Sequence, residues 1–171
     1  MLSRRADGIE ASGIRRIFEL VASMEDPINL SIGQAHFDVP QAVKDAACRA
    51  IQEGHNRYTV TQGLPQLNEA ILAQLAERYG FEGRHSLVTA GVSGGLMLGF
   101  LGLLDPGDRV LIPDPYFTMY GVLARMVSAD WDTYDLYPET TLTEEHLEAS
   151  LHERTKVILV NSPSNPSGRY R

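Results

Sequence analysis

Residues 86–112 read SLVTAGVSGGLMLGFLGLLDPGDRVLI, and this stretch is the strongest guide to the fold class. It predicts a short strand over residues 86–89, then a glycine-rich turn and an apolar helix that runs to Leu104. The turn Asp105-Pro106-Gly107-Asp108 leads into a second strand over residues 109–112. Because a helix that is apolar all round has to be buried, this unit indicates a sheet that is covered by helices.

The rest of the chain continues the alternation of helices and strands. The predicted helices cover residues 40–54, 65–80, 116–127 and 143–151, and the predicted strands cover residues 131–137 and 157–160. The last strand is apolar without a break, as in a parallel sheet that is covered on both faces. The sequence therefore predicts an α/β fold, a partial three-layer sandwich with a mostly parallel sheet, preceded by an N-terminal helical arm that begins at Ser12.

The composition is that of an ordinary soluble globular protein. Of 171 residues, 43% are hydrophobic and 22% are charged, and the net charge of −7 argues against a nucleic-acid surface. Cys48 is the one cysteine, so neither a disulfide framework nor a thiolate zinc site is expected. No secretory signal and no stretch of transmembrane length is evident. We expect a cytoplasmic protein that binds neither nucleic acid, membrane nor metal.

Two segments have residue types that could bind a ligand. Gly91, Val92 and Ser93 open the apolar helix, where small residues would let a phosphate approach the free N–H groups of the helix start. These glycines could equally serve only the close packing of the helix on the sheet. The run NSPSNPSG (residues 161–168) follows the last strand, and its prolines would hold the Asn165 amide at a sheet edge. Such runs are also common in plain surface turns.

Taken in order, these segments resemble the class I and II family of fold-type I aminotransferases, which depend on pyridoxal phosphate and include the aspartate aminotransferase group. Five motifs in register, spread over most of the chain, carry the resemblance. They are LSIGQ (30–34) with FDVP (37–40), RY (57–58) with GLPQL (63–67), VTAGVS (88–93), LDPGD (104–108) with PDPYFTMY (113–120), and NSPSNPSG (161–168). The chain departs from the family at positions 162, 164 and 167, which are serine, and at positions 94 and 95, which are glycine.

The resemblance implies a binding site for pyridoxal 5′-phosphate. Gly91, Val92 and Ser93 match the residues that hold the cofactor phosphate, which agrees with the argument from the helix start. Phe117 matches the aromatic residue that stacks on the pyridine ring, and Asn165 matches the asparagine that hydrogen-bonds the phenolic oxygen. Outside this family Phe117 would be interpreted as an ordinary core aromatic residue.

Two further residues and the domain organisation also follow from the resemblance. Tyr58 matches a tyrosine that reaches the phosphate in the neighbouring subunit of a homodimer, and Gly33 lies in the loop that binds the substrate carboxylate. Without the family they would be an ordinary surface tyrosine and a turn glycine. Residues 1–39 would form the N-terminal arm and substrate loop, and residues 40–171 a truncated part of the large, cofactor-binding domain.

The family's reaction also requires a lysine that holds the cofactor through a Schiff base. The chain has two lysines, Lys44 on an amphipathic helix and Lys156 just before the last strand, and neither fits this role. In the family this lysine comes from sequence beyond residue 171, so we interpret the chain as a fragment without a catalytic residue. We expect the full-length relative to transfer an amino group between an amino acid and a 2-oxo acid in biosynthetic amino acid metabolism, and the chain itself to be inactive.

Three alternatives remain open at this point. Carbon–sulfur lyases and cyclopropane-forming synthases share the same N-terminal motifs on the same fold. The chain could also be a non-catalytic remnant or interaction module. A nucleotide-binding domain is disfavoured, because no acidic residue follows the glycine loop where a ribose ligand is expected.

Overall fold

A computed structural model describes residues 3–7, 9, 17, 20–28, 33, 35–137 and 142–170. The chain divides into two compact units, the first made of Met1–Gly13 with Ala90–Arg171 and the second of Ile14–Thr89. The predicted boundary between residues 39 and 40 concerns the domains of the family and stays a prediction. Within the described ranges, no helix is both long enough and apolar enough to cross a membrane.

The first unit contains a three-stranded parallel sheet. β1 (Arg109–Asp114) lies at its centre, between β2 (Asp130–Asp135) and β3 (Thr155–Ile158). Arg109 is paired with Asp130 on one side, and the register on the other side shifts between Arg109 and Val110. The predicted α/β fold with a parallel sheet is confirmed.

Helices cover both faces of β1 and so form three layers. The described residues of the first unit contain the short helix α1 (Arg4–Asp7) and three longer helices, α4 (Gly91–Leu103), α5 (Met119–Met126) and α6 (Glu144–Ser150). Val110 and Ile112 pack with residues of α4 and α5, whereas Leu111 packs on the other face with Tyr134 and the α6 residue Leu147. This alternation follows from the two-residue period of a strand.

Local signals explain where α4 and α6 end and begin. Leu104 follows α4, and the Asp108 carboxylate then accepts a hydrogen bond of 2.9 Å from the Asp105 N–H, which closes the turn into β1. Thr143 caps α6, because its hydroxyl accepts a hydrogen bond of 3.2 Å from the His146 N–H. Leu142 and Leu147 pack against the same core cluster, so the predicted cap and hydrophobic staple are both present.

The second unit contains α2 (Gln41–Gln52) and α3 (Pro65–Tyr79). Pro40 precedes α2 as its N-cap and is not its first residue, whereas Pro65 does open α3. The Asn68 side chain donates a hydrogen bond of 3.0 Å to the Gln62 carbonyl and accepts one of 3.0 Å from the Ser86 hydroxyl. In this way α3 fixes the polar loop before it. Residues 17, 20 and 21 are helical, and most of the predicted helix from Ser12 lies outside the described residues.

Three sequence predictions are wrong in detail. Residues 86–89 form no strand, and the Val88 N–H donates instead to the carbonyl of Gln62 in the loop before α3. The last strand is not covered on both faces, since Ile158 is 42% exposed and Val160 is 55% exposed. The helix expected from residue 116 begins at Met119, after a turn in which the Tyr120 N–H donates to the Phe117 carbonyl.

A charge-assisted pair joins β1 to β2. Arg109 donates to both carboxylate oxygens of Asp132, through Nε at 2.6 Å and Nη2 at 2.7 Å. The hydrogen bond with Arg109 holds the pKa of Asp132 below its usual value, although burial acts in the opposite direction. Asp130 is a weaker partner, because its carboxylate lies 3.6 Å from Arg109 Nη1 and is 68% exposed.

Replacing Gly121 with alanine should destabilise the chain. The added Cβ would lie 3.0 Å from Cε2 and Cζ2 of Trp131, whose ring also lies under the Arg125 guanidinium. We expect the free energy of unfolding to fall by about 1–3 kcal/mol in urea titrations. The matched control is Gly102→Ala in α4, where nothing lies within 4 Å of the added Cβ. This control should be neutral or stabilising by up to about 1 kcal/mol, and equal stabilities of the two variants would contradict the packing described.

The Asp132→Asn substitution should lower the free energy of unfolding at pH 7 by about 1 kcal/mol, because it removes a bidentate charged pair. A carboxylate whose pKa is lowered in the folded state contributes its full stabilisation of the fold above its pKa in the unfolded chain, which is about 3.9. The contribution is lost as the pH falls through the lower pKa of the folded state. The difference between wild type and variant should therefore hold at neutral pH and shrink as the pH falls below about 4.

The control for this pair is Asp130→Asn, which should change the free energy of unfolding by less than about 0.5 kcal/mol because that carboxylate is mostly exposed. A difference for Asp132→Asn that grows on acidification would contradict the interpretation.

Candidate functional site

Two loops leave the sheet at the same edge. β1 and β3 are parallel neighbours, so their carboxyl ends lie at the same edge of the sheet. One loop, residues 115–118, follows β1, and the other, residues 159–168, follows β3. In open α/β sheets this edge is where ligands bind. We call residues 115–118 the Phe117 loop and residues 161–168 the Asn165 loop.

The start of α4 lies toward the same edge. α4 ends at Leu103, and a short turn leads into the beginning of β1, so the end of α4 lies where the strands begin. Leu96, Met97 and Phe100 all pack on the cluster that contains Val110, which means that α4 runs back along the sheet. A helix of 13 residues is about 20 Å long, which suffices to bring its first turn to the opposite edge.

The first turn of α4 has the features of an anion site. Gly91 has a φ of 68°, a conformation that favours glycine, and nothing lies within 4 Å of the position where a Cβ would stand. Ala90 offers no side-chain cap, and the first turn contains no acidic residue. Val92 and Ser93 are exposed. The first turn of α4 therefore combines the positive end of the helix dipole with exposed residues and no acidic residue of its own.

Phe117 is partly buried and packs against the core cluster formed by α4, α5 and β1. Its ring meets the ring of Tyr120 edge to face, with centroids 5.8 Å apart and planes at 84°. Phe117 thus combines the features of a core aromatic residue with a position in a loop at the sheet edge.

The Asn165 loop closes on itself and exposes the asparagine. The Ser164 N–H donates to the Arg169 carbonyl at 2.8 Å, and the Gly168 N–H donates to the Ser164 carbonyl at 2.6 Å. Ser164 is buried, and its hydroxyl has no hydrogen-bond partner among the described residues. The Asn165 side chain is exposed, so its amide is available to a ligand.

Two buried tyrosines that the sequence analysis did not single out fix the entrance to the Asn165 loop. The Tyr134 hydroxyl donates a hydrogen bond of 2.9 Å to the Leu159 carbonyl. Tyr120 shares a side-chain hydrogen bond with Asn161, and burial raises the pKa of its hydroxyl while this bond opposes the rise. Tyr120 stands in a largely apolar segment, which is the one signal in the sequence that it needs a buried partner, whereas Tyr134 lies between Thr133 and Asp135 and carries no such signal.

The remaining predicted site residues belong to the second compact unit. Tyr58 is fully exposed, and no atom lies within 4 Å of a Cβ added to Gly33. Gly91, Val92, Ser93, Phe117 and Asn165 all belong to the first unit.

The two lysines lie on α2 and β3. Lys44 forms an ion pair with Asp38, and the hydrogen bond from Lys44 lowers the pKa of the Asp38 carboxyl. Lys156 lies within β3 and not before it, and it is exposed. Among the residues that the structure describes, no group of His, Cys, Asp or Glu could hold a metal ion.

Comparisons with known proteins agree on one family. A family model described as aminotransferase class I and II matches residues 25–170. The chain is 39% identical over 171 residues to the probable aspartate aminotransferase of Methanocaldococcus jannaschii, covering 99% of the chain and 45% of that protein. It is 38% identical over 164 residues to the aspartate aminotransferase of Pyrococcus horikoshii, covering 94% of the chain and 42% of that protein.

The fold comparison gives the same result. The crystal structure of the aspartate aminotransferase from Rhizobium meliloti superposes with a TM-score of 0.90 at 34% identity, over 100% of the chain and 45% of that structure. The chain thus spans somewhat less than half the length of the relatives that it matches. The chain belongs to the class I and II aminotransferase family and corresponds to an N-terminal portion of the relatives that it matches.

Proposed function

We propose that the full-length protein transfers an amino group between an amino acid and a 2-oxo acid with pyridoxal 5′-phosphate, and that this chain supplies the phosphate-binding part of the site. The relatives named aspartate aminotransferase support the reaction class. The observation that carries the role of this chain is the start of α4, where Gly91 has a φ of 68°, no atom lies within 4 Å of an added Cβ, and Val92 and Ser93 are exposed.

The residues present fit the phosphate group of the cofactor. A phosphate is favoured by N–H donors and a positive local potential, and the start of α4 has the positive end of the helix dipole and no acidic residue in its first turn. The exposed Ser93 hydroxyl adds a donor. The surrounding protein carries a net charge of −7, so the anion is held by this local arrangement and not by overall charge.

The other loops would orient the cofactor ring. When bound, pyridoxal phosphate supplies the carbonyl group and the electron-accepting ring that amino transfer needs. We assign Phe117 to contact with the ring face, because an aromatic side chain held by its own edge contact offers a rigid flat surface. We assign the exposed Asn165 amide to a hydrogen bond with the phenolic oxygen.

The second unit contributes to the proposal through Tyr58 and Gly33. A tyrosine that is fully exposed is available to a neighbouring subunit, which supports a homodimer in which Tyr58 reaches the partner's cofactor phosphate. The open surroundings of Gly33 are compatible with close approach of a substrate carboxylate. We also propose a cytoplasmic location, supported by the single, unpaired Cys48.

The chain should bind pyridoxamine 5′-phosphate in preference to pyridoxamine. Both compounds lack the aldehyde that reacts with any exposed lysine, so the difference in affinity measured by isothermal titration reports recognition of the phosphate. Ser93→Ala should weaken binding of pyridoxamine 5′-phosphate about tenfold, because a hydrogen bond to a charged group is lost. Ser150→Ala at the end of α6 is the matched control and should leave the affinity unchanged. Equal affinities for the two compounds would contradict the phosphate site.

The chain alone should not transfer amino groups. Aspartate and 2-oxoglutarate, incubated with the chain and pyridoxal phosphate, should show no glutamate formation above a protein-free blank. The reason is that Lys44 is paired with Asp38 and Lys156 projects from an exposed position of β3. Turnover that is lost in the Lys44→Arg or the Lys156→Arg variant would overturn this expectation and identify the amine that acts.

A further inference from the structure

Tyr120 touches both loops at the sheet edge. Its side chain is 7% exposed and belongs to the core cluster of α4, α5 and β1. Its ring meets the ring of Phe117 edge to face, and its backbone N–H donates to the Phe117 carbonyl at 3.0 Å. Its hydroxyl shares a hydrogen bond with the side chain of Asn161, the first residue of the Asn165 loop.

Asn161 lies just beyond the point where β3 stops pairing with β1. The Leu159 N–H donates to the Leu111 carbonyl at 2.8 Å, which extends the pairing of β3 with β1 by one bond beyond Ile158. Asn161 is two residues further on, where the chain turns into the loop. Two backbone bonds, from the Ser164 N–H to the Arg169 carbonyl and from the Gly168 N–H to the Ser164 carbonyl, join residues 164–169 to one another. A side-chain contact at Asn161, where the loop starts, links the start of the loop to the core cluster.

We propose that Tyr120 is a positioning residue that holds the Phe117 loop and the Asn165 loop in a fixed relation, through its ring on one side and its hydroxyl on the other. Tyr120 need not touch the cofactor for this role. Its consequence for cofactor binding rests on the proposed function, whereas its effect on the Asn165 loop follows from the contacts alone.

The buried Tyr120 side chain makes one contact with each loop, through its ring and through its hydroxyl. The ring packs in an apolar cluster, so it has a single orientation, and this orientation fixes where its hydroxyl lies. Asn161 is itself only partly exposed, so loss of the hydroxyl leaves its amide without this partner in a site that water reaches poorly. The loop would then sample other directions while the strands stay intact.

Three variants separate the two contacts. Tyr120→Phe removes the hydroxyl and keeps the ring, Tyr120→Leu removes both, and Asn161→Ala removes the hydrogen bond from the other side. In Tyr120→Phe and in Asn161→Ala, hydrogen exchange at the Ser164 and Gly168 amides should accelerate about five- to tenfold, while exchange at residues 110–112 of β1 stays unchanged. If Tyr120→Phe does not fold, Asn161→Ala tests the same bond from the more exposed residue.

The double variant tests whether the two residues act through each other. In the Asn161→Ala background, Tyr120→Phe should no longer accelerate loop exchange. Tyr134→Phe is the matched control, because it removes an equally buried hydroxyl that bonds to the Leu159 carbonyl, and its effect should add to that of Asn161→Ala. Additive effects of Tyr120→Phe and Asn161→Ala, or equal acceleration in the loop and in β1, would overturn the proposal.

Binding of pyridoxamine 5′-phosphate gives the functional readout. Tyr120→Phe should weaken it about three- to tenfold and Tyr120→Leu more strongly, since the second variant also releases the Phe117 ring. Unchanged affinity in both variants, with a wild-type chain that binds, would overturn the functional part of the role. A wild-type chain that does not bind pyridoxamine 5′-phosphate would instead contradict the proposed function, and the exchange rates would still decide the structural role of Tyr120.

Discussion

The burial of β1 on both faces is the constraint on which the first unit depends. Val110, Leu111 and Ile112 have no exposed surface, and β2 and β3 pair with the two edges of the strand. A shift of β1 by one residue would turn Val110 and Ile112 away from α4 and α5 and would turn Leu111 away from α6. The register of β1 is therefore strongly fixed. With this register, the points where the chain leaves β1 and β3, and the point where α4 begins, are set. The site residues of this unit come from those three points.

Much of this arrangement could be predicted from the sequence because its signals are local. The apolar helix after Gly91, the turn at residues 105–108 and the Thr143 cap are each determined by residues within one or two turns, and each is confirmed. Strand pairing is not a local property. Residues 86–89 have the composition of a strand but form none, and Ile158 is 42% exposed although the apolar pattern of its strand predicts that it is covered.

The candidate site divides in the same way. Helix-end physics left an anion site and plain helix packing equally open at Gly91, and the family resemblance indicated the anion site together with Phe117 and Asn165. The sequence could not show that Ser164 is buried while its neighbour Asn165 is exposed, because two adjacent polar residues give no pattern. Nor could it show that Tyr120 pairs with Asn161, since a hydrogen bond between side chains on different elements requires the packing of α5 on the sheet. The contacts that join the loops to the core are therefore found from the structure, whereas the ligand-binding roles of Gly91, Phe117 and Asn165 stay predictions from the motifs.

The central claim is that the first turn of α4 binds the phosphate of the cofactor and the adjacent loops contact its ring. Titration of the isotope-labelled chain with pyridoxamine 5′-phosphate, followed by amide and side-chain NMR shifts, tests it most directly. The account predicts the largest saturable shifts at the amides of Val92 and Ser93, together with shifts at the Asn165 side-chain amide, and no such shifts with pyridoxamine. Saturable shifts that map to other surfaces and leave the start of α4 unchanged would contradict it.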